Sequence, residues 1–409
     1  MNKLYVGIDI ASRSNSVYLM LPCGKKHSSF CVENNLGGAK TLVAKVASAL
    51  EGNGLAAVSF GLEATGVYGD HLLYFLRESG CLAKFSPAIH LLNPKQVKKF
   101  KDAYPDLPKT DAVDAYIIAD CLRFGRITKA VYDADYRYDA LRTLTRARFH
   151  AVKNLAREKQ RFLNHLFMKC SGLAQDKVFS NPFGATSLAL IGEIESSEEI
   201  ANMGMDDLKS FIIKKGKNHF ADPDCIAKSI QAAARGSYRL PKTVNDSVNQ
   251  VLSVSIATIR ALETQVKTFD KEIKRLLGSI PNTLDSIPGI GPVFSAGIIA
   301  EIGDINRFDC QAALAKYAGL AWTRHQSGNF EAQNTRAIRS GNRFLKYYLT
   351  EAAFSLVRCD TEYKDFYCLK YNEVNKYQHK RALALTARKF VRLVFSLLKG
   401  NRLYKPASV

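Results

Sequence analysis

Apolar positions in the first 135 residues fall into short runs and helical spacings by turns. Leu4 to Ile10 and Ser16 to Leu21 are short apolar runs. The polar stretch Ala11-Ser12-Arg13-Ser14-Asn15 joins them, which predicts a hairpin. Leu55 to Gly61 predicts a third strand, ending at Leu62-Glu63. Leu72, Leu73, Phe75 and Leu76 stand at helical spacing within Asp70 to Glu78. Leu82 to Phe85 reads as another short strand and Thr110 to Phe124 as another helix. A strand hairpin followed by alternating strands and helices predicts an α/β domain over 1–135.

The middle, 136–278, reads as all-α. Asp139 to Cys170 carries apolar residues at helical spacing. In Asp246 to Leu277, Leu252, Ile259, Val266 and Ile273 recur every seventh position, and so do Leu262, Phe269 and Leu276. Such heptads predict a long helix with a coiled-coil seam. Asp246 or Ser247 would cap it, and Gly278 would end it. Its partner is either the 139–170 helix or the same helix of another subunit. Residues 171–245 read as an insert of short helices. From Ser279 the pattern is helical again, giving a third, mainly α domain over 279–409.

Charge narrows the choice of partner. The 58 Lys and Arg against 38 Asp and Glu leave a net charge of +20. The excess concentrates in helical stretches: 17 basic against 6 acidic residues from Arg324 to Val409, and 8 against 2 from Asp139 to Cys170. Clustering of this kind points to a polyanion such as nucleic acid. The longest uncharged apolar stretch, Ser286 to Ala300, has 15 residues and contains Pro288 and Pro292. A spanning helix needs roughly 20 apolar residues, so no membrane span is expected. The N-terminus runs straight into a strand pattern containing an Asp, unlike a signal peptide. The expected location is the cytoplasm. Nine scattered cysteines form no CxxC pair, and the eight histidines form no HExxH, so no zinc site is expected.

Four carboxylates stand out. Asp9 lies inside the apolar run Tyr5-Val6-Gly7-Ile8-Asp9-Ile10, where an unpaired charge costs several kcal/mol. Glu63 ends the third predicted strand. Asp111 and Asp114, three apart at a helix start, share one helical face. Held together, four such acids need cations, and hard oxygen ligands select Mg2+ or Mn2+. Paired ions of this kind serve phosphodiester chemistry. Taken singly, Asp111 and Asp114 also fit a helix cap and first-turn charge, and Glu63 fits a strand-end charge.

Two further segments could touch nucleic acid. In Ile287-Pro288-Gly289-Ile290-Gly291-Pro292, Gly289 and Gly291 permit a sharp turn before an apolar helix. Backbone N–H groups there can hold a phosphate, as in a helix-hairpin-helix element. The stretch from Gly319 to Gly328 holds Ser327-Gly328 beside Arg324 and His325, with Arg336, Arg339 and Arg343 further along the chain. Guanidinium groups stabilise a phosphate under attack. A second Ser-Gly pair follows at Ser340-Gly341.

Together these segments resemble the DEDD transposases of insertion sequences, of the insertion-sequence 110 type, known as bridge-RNA-guided serine recombinases. At the N-terminus the resemblance rests on GIDIAS around Asp9, LEATGVY around Glu63 and KTDAVDA around Asp111 and Asp114. At the C-terminus it rests on IPGIGPVFSAGIIAEIG, FDCQAALAKYAGL, QSG around Ser327 and RSGNRFLKYYLTEAA. The middle adds nothing to it. The resemblance implies a RuvC-like, ribonuclease-H-type N-terminal domain whose Asp9, Glu63, Asp111 and Asp114 hold divalent metal. It implies a C-terminal Ser, placed at Ser327 by the QSG match, that joins covalently to DNA. The family often has Pro where this chain has Trp322, which keeps Ser340 as the fallback nucleophile. Donor DNA, target DNA and a non-coding guide (bridge) RNA are the implied partners, handled by a homo-oligomer, dimer to tetramer.

Three other readings compete. GIDIAS before a hairpin also resembles the first phosphate loop of sugar kinases and actin-like ATPases, but their second Asp-Gly hairpin and Gly-rich adenosine site are not found. A RuvC-like junction resolvase or nuclease would use the acids and water without Ser327. A non-catalytic binding protein would need neither.

Overall fold

The computed structural model describes residues 2–63, 66–104, 106–125, 135–217, 220–323, 326–327, 330–331, 336–338 and 340–406. The chain divides into two compact units, Met1–Ala134 and Asp135–Val409.

The first unit is built on strands β1 (Lys3–Ile10), β2 (Ser14–Met20), β3 (Lys26–Glu33), β4 (Ala57–Glu63) and β5 (Ala88–Leu92), in the order β3-β2-β1-β4-β5. β1, β2 and β3 are antiparallel, whereas β4 and β5 run parallel to β1. Helices α1 (Leu36–Gly52), α2 (Asp70–Glu78), α3 (Gly80–Ala83), α4 (Pro94–Lys101) and α5 (Asp111–Arg123) accompany them. Strand side chains alternate between faces. Leu4, Val6 and Ile8 face one core with Leu42, Val46 and Leu50 of α1 and Leu72, Leu73 and Leu76 of α2. α5 covers the opposite face, where Ile117 and Ile118 pack with Leu92 and Val97. This α/β arrangement is consistent with the ribonuclease-H-type fold.

One expectation fails in this unit. Leu82 to Phe85 is not a strand: Gly80–Ala83 is a helical turn that buries Leu82, and the strand is Ala88–Leu92. A four-residue apolar run has no periodicity that separates the two states. Parallel pairing of Ser59 with Ala88 through Glu63 with Leu92 decides the matter. β3, with only Phe30 and Val32 as large apolar residues, was not expected.

The second unit is mostly helical: α6 (Tyr136–Lys169), α7 (Ser171–Gln175), α8 (Ala185–Glu193), α9 (Ser197–Asn202), α10 (Met205–Gly216), α11 (Pro223–Arg235), α12 (Lys242–Leu277), α13 (Pro292–Ile302), α14 (Gln311–Tyr317), α15 (Arg343–Cys359), α16 (Thr361–Asn372) and α17 (Gln378–Gly400). Two short strands, β6 (Gln326–Ser327) and β7 (Phe330–Glu331), pair as a hairpin. The heptad helix finds its partner within the chain. α6 and α12 run antiparallel, crosslinked by Arg148 to Asp270 and by Lys159 to Glu263 at 2.7 Å. α12 starts earlier than expected, directly after Pro241, so Asp246 and Ser247 lie within its first turns and do not cap it. Pro241, at φ −54° and ψ 140°, closes the extended segment there.

The α6–α12 pair serves two cores. Phe162 and Leu166 join Leu252, Ile256 and Ile259 with α8 to α11. Leu141, Ile273 and Leu277 join α13, α14, α15 and α17. There the Tyr348 ring lies so close on Gly297 that a Cβ would stand 2.4 Å from it. The Tyr348 hydroxyl donates to the Thr145 carbonyl of α6 at 2.7 Å.

Candidate functional site

In the first unit, the packing of α5 on the sheet assembles the acids. β1 and β4 place Gly7 opposite Gly61. Each glycine stands two residues before an acid, Asp9 or Glu63, so glycine and acid point to the same face. α5 descends onto the two glycines. A Cβ on Gly7 would lie 2.0 Å from the Ala115 carbonyl oxygen, and one on Gly61 would lie 2.8 Å from Ile118 Cγ2. Thr110 caps α5 by accepting from the Val113 N–H at 3.3 Å. Its first turn therefore presents Asp111 and Asp114 beside the ends of β1 and β4.

Asp9 and Glu63 lie within electrostatic reach of acidic neighbours. Burial pushes the Asp9 carboxyl above its ordinary value, and Asp114 and then Asp111 add repulsion. Burial also raises Glu63, with Asp9 and Asp114 adding to it. Sequence reasoning missed one member. Lys101, the last residue of α4, places its Nζ 2.6 Å from Asp114 Oδ1. Among the described residues, no three His, Cys, Asp or Glu side chains converge tightly enough to ligate one ion as they stand. The chemistry of the four side chains is nonetheless that of ligands for a hard divalent cation. All their donors are carboxylate oxygens, two of the acids resist ionisation, and an ammonium already sits against a third.

The second unit holds the remaining predicted residues. Gly289 has φ +80° and its α-carbon abuts α15, with Cys359 Sγ 2.8 Å from where a Cβ would be. Its carbonyl accepts from Ser355 Oγ at 2.7 Å. Gly291 is the N-cap of α13 and has open space at its Cβ position. The element before this turn is a three-residue 3-10 helix, Leu284–Ser286.

Ser327 lies in β6, paired with Phe330 of β7; its side chain is outside the described residues. Arg324, Gly328 and Arg339 also lie outside them. Arg336 is exposed, and its carbonyl accepts from the Thr323 N–H at 2.9 Å. Arg343 opens α15, exposed, with its guanidinium 4.7 Å from the Phe344 ring centroid. Ser340 is exposed beside Gly341.

The chain is similar to known proteins along much of its length. Residues 6–168 match the DEDD transposase family model of the IS110 type, and residues 282–368 match the model of the transposase IS116/IS110/IS902 family. The 44.8 kDa protein of insertion element IS116 from Streptomyces clavuligerus is 27% identical over 76% of this chain and 77% of its own length. The 43.6 kDa protein of insertion element IS110 from Streptomyces coelicolor is 24% identical over 99% of this chain and 97% of its own. The transposase for insertion sequence element IS1111A from Coxiella burnetii is 24% identical over 39% of this chain and 44% of its own length.

An α/β unit with clustered acids, followed by a basic helical unit, thus belongs to a transposase, an enzyme that processes DNA. The chain is a member of the IS110/IS116 family of insertion-sequence transposases. Among the described residues, no helix is long and apolar enough to cross a membrane.

Proposed function

We propose that this transposase cuts and rejoins donor and target DNA through a phosphoserine intermediate, guided by a non-coding RNA encoded with it. What supports the reading is that Asp9 feels Asp114 and Asp111, and Glu63 feels Asp9 and Asp114, at one end of the sheet. These four would hold Mg2+ or Mn2+. When bound, the ion supplies Lewis-acid stabilisation to a phosphate under attack.

The chain's own residues do the rest. Ser327 Oγ bonds to phosphorus and gives up its proton, and the deoxyribose oxygen leaves with the bonding electrons and takes a proton. The hydroxyl of another DNA end later reverses the step and frees the serine. Arg324, Arg336, Arg339 and Arg343 hold phosphate oxygens, and the turn at Gly289 and Gly291, a helix-hairpin-helix element in this reading, grips backbone. The working form is a homo-oligomer, dimer to tetramer, in which domains 1–135, 136–278 and 279–409 act as RuvC-like domain, helical linker and transposase domain.

The test is chemical. Stopped reactions should contain DNA covalently attached to protein, mapped by peptide analysis to Ser327. Ser327→Ala should abolish it, whereas Ser340→Ala should keep it. Cleavage without any covalent species would replace this reading with hydrolysis by water. Sequencing of copurified RNA tests the guide: a single structured species is expected, and its absence removes the RNA from the proposal.

A further inference from the structure

Helix α13 ends near a carboxylate sealed from solvent: the Glu301 side chain is 0% exposed. Burying a charge is costly unless its oxygens are matched. Here they are. Arg146 of α6 meets Glu301 side-on, with Nε donating to Oε1 at 2.7 Å and Nη2 to Oε2 at 2.9 Å. Asn342 Nδ2 donates to the same Oε2 at 2.6 Å and also reaches the Tyr317 hydroxyl at 3.2 Å. The other end of that amide caps α15: Asn342 Oδ1 accepts from the N–H groups of Phe344 at 2.9 Å and Leu345 at 3.0 Å. An amide can do both at once. Asp would cap the helix but face Glu301 with like charge, and Ser would cap it but fall short of Glu301.

Asn342 also closes the base of the segment that carries Ser327. Its N–H donates to the Tyr317 carbonyl at 2.7 Å. Just inside, Gly319 and Gly341 cross, both at positive φ. A Cβ on Gly341 would lie 2.5 Å from Gly319 N. Between the two glycines, the described residues pair as the two arms of a ribbon. Trp322 bridges Ala337, Ile338 N–H donates to the Ala321 carbonyl at 2.9 Å, and β6 pairs with β7. The ribbon therefore springs from a point tied by directional bonds to α13 and α6. Apolar packing would join those helices as well, so the buried ionic set adds direction more than adhesion.

We propose that Glu301, Arg146 and Asn342 are positioning residues that aim the Ser327 ribbon at the scissile phosphate. The inference rests on the reading of Ser327 as the nucleophile. The test compares full-length wild type with Asn342→Ser, which keeps the cap and loses the link to Glu301. At saturating DNA, covalent adduct formation per folded molecule should slow at least tenfold with the half-saturating DNA concentration nearly unchanged, while the melting temperature falls because buried Glu301 loses a donor. Asn342→Asp should be as slow. The exchanged pair, Asn342→Asp with Glu301→Gln, should recover part of the rate, because the amide introduced on α13 can then donate to the carboxylate introduced at the α15 cap while its oxygen keeps one of the two Arg146 bonds. Ser327→Ala separates the two ideas. If it still forms adduct, the nucleophile is misassigned. If it forms none while Asn342→Ser reacts at the wild-type rate per folded molecule, the positioning role is overturned, whatever happens to stability.

Discussion

Gly7 and Gly61 stand opposite each other on neighbouring parallel strands, and together they form the floor on which α5 rests. Because each precedes an acid by two residues, the contact that seats the helix also gathers Asp9, Glu63, Asp111 and Asp114. Stability and site geometry are thereby coupled at one packing contact.

The two glycines should differ in tolerance. Gly7→Ala sets a Cβ 2.0 Å from the Ala115 carbonyl oxygen and 2.5 Å from the Ala119 nitrogen, backbone atoms that cannot yield without moving α5. Denaturant unfolding of the first unit should show a loss of about 3 kcal/mol, at the upper end for overpacking, together with weaker Mn2+ binding. Gly61→Ala meets side chains rather than backbone, Ile118 Cγ2 and Leu122 Cδ1 at 2.8 Å and Leu122 Cγ at 3.1 Å, and should cost less, about 1–2 kcal/mol.

Asp9→Asn should abolish recombination yet raise the metal-free stability of the protein. Asp9 and Glu63 have folded pKa values above their unfolded ones, so the folded state holds their protons more tightly. Their contribution to stability therefore falls as pH rises through the folded pKa values and recovers on acidification. Melting temperatures measured in EDTA across this range should show that slope in wild type and a shallower one in Asp9→Asn. Excess Mg2+ should stabilise wild type at neutral pH and leave Asp9→Asn almost unchanged. Glu63→Gln, Asp111→Asn and Asp114→Asn should likewise fold and fail in strand exchange.

Lys101 competes with any cation for Asp114 across 2.6 Å. Lys101→Met should therefore bind Mn2+ several-fold more tightly by calorimetry, while its metal-free form melts earlier. Weaker Mn2+ binding would instead make the ammonium a support for the bound ion.

Lys169 gives a pH response in the second unit. Buried, it donates to the carbonyls of Ile191 at 2.7 Å and Ile194 at 2.6 Å, and burial pushes its pKa down to about 8. Between that value and the unfolded one near 10.4, the unfolded chain binds the proton more tightly, so stability contributed by this group should rise with pH. Lys169→Met should remove the rise. It should also cost about 1–3 kcal/mol at neutral pH, because two buried carbonyls lose their donor.

Nucleic-acid affinity should fall steeply with salt, with a log–log slope of roughly 0.7 to 0.9 per phosphate contact. Arg343→Ala should lower the slope by about one contact in a filter-binding series. An unchanged slope would exclude Arg343 from the contact surface.

Periodicity and composition by themselves determined much of this protein. The heptads of α12, the hairpin of β1 and β2, the basic helices and the four acids are all legible because helix and strand impose periods of 3.6 and 2 on neighbouring residues. An acid in an apolar run violates that pattern at a single position. Tertiary structure alone decided the rest. It laid α6 along α12, and made Ala88–Leu92 rather than Leu82–Phe85 the last strand of the sheet. It set Gly7 against Gly61, Lys101 against Asp114, and Glu301 against Arg146 and Asn342. The last two residues lie 155 and 41 positions from Glu301. No local period records such contacts. They form because burying apolar surface brings distant segments together, and each polar group enclosed on the way must find a partner there.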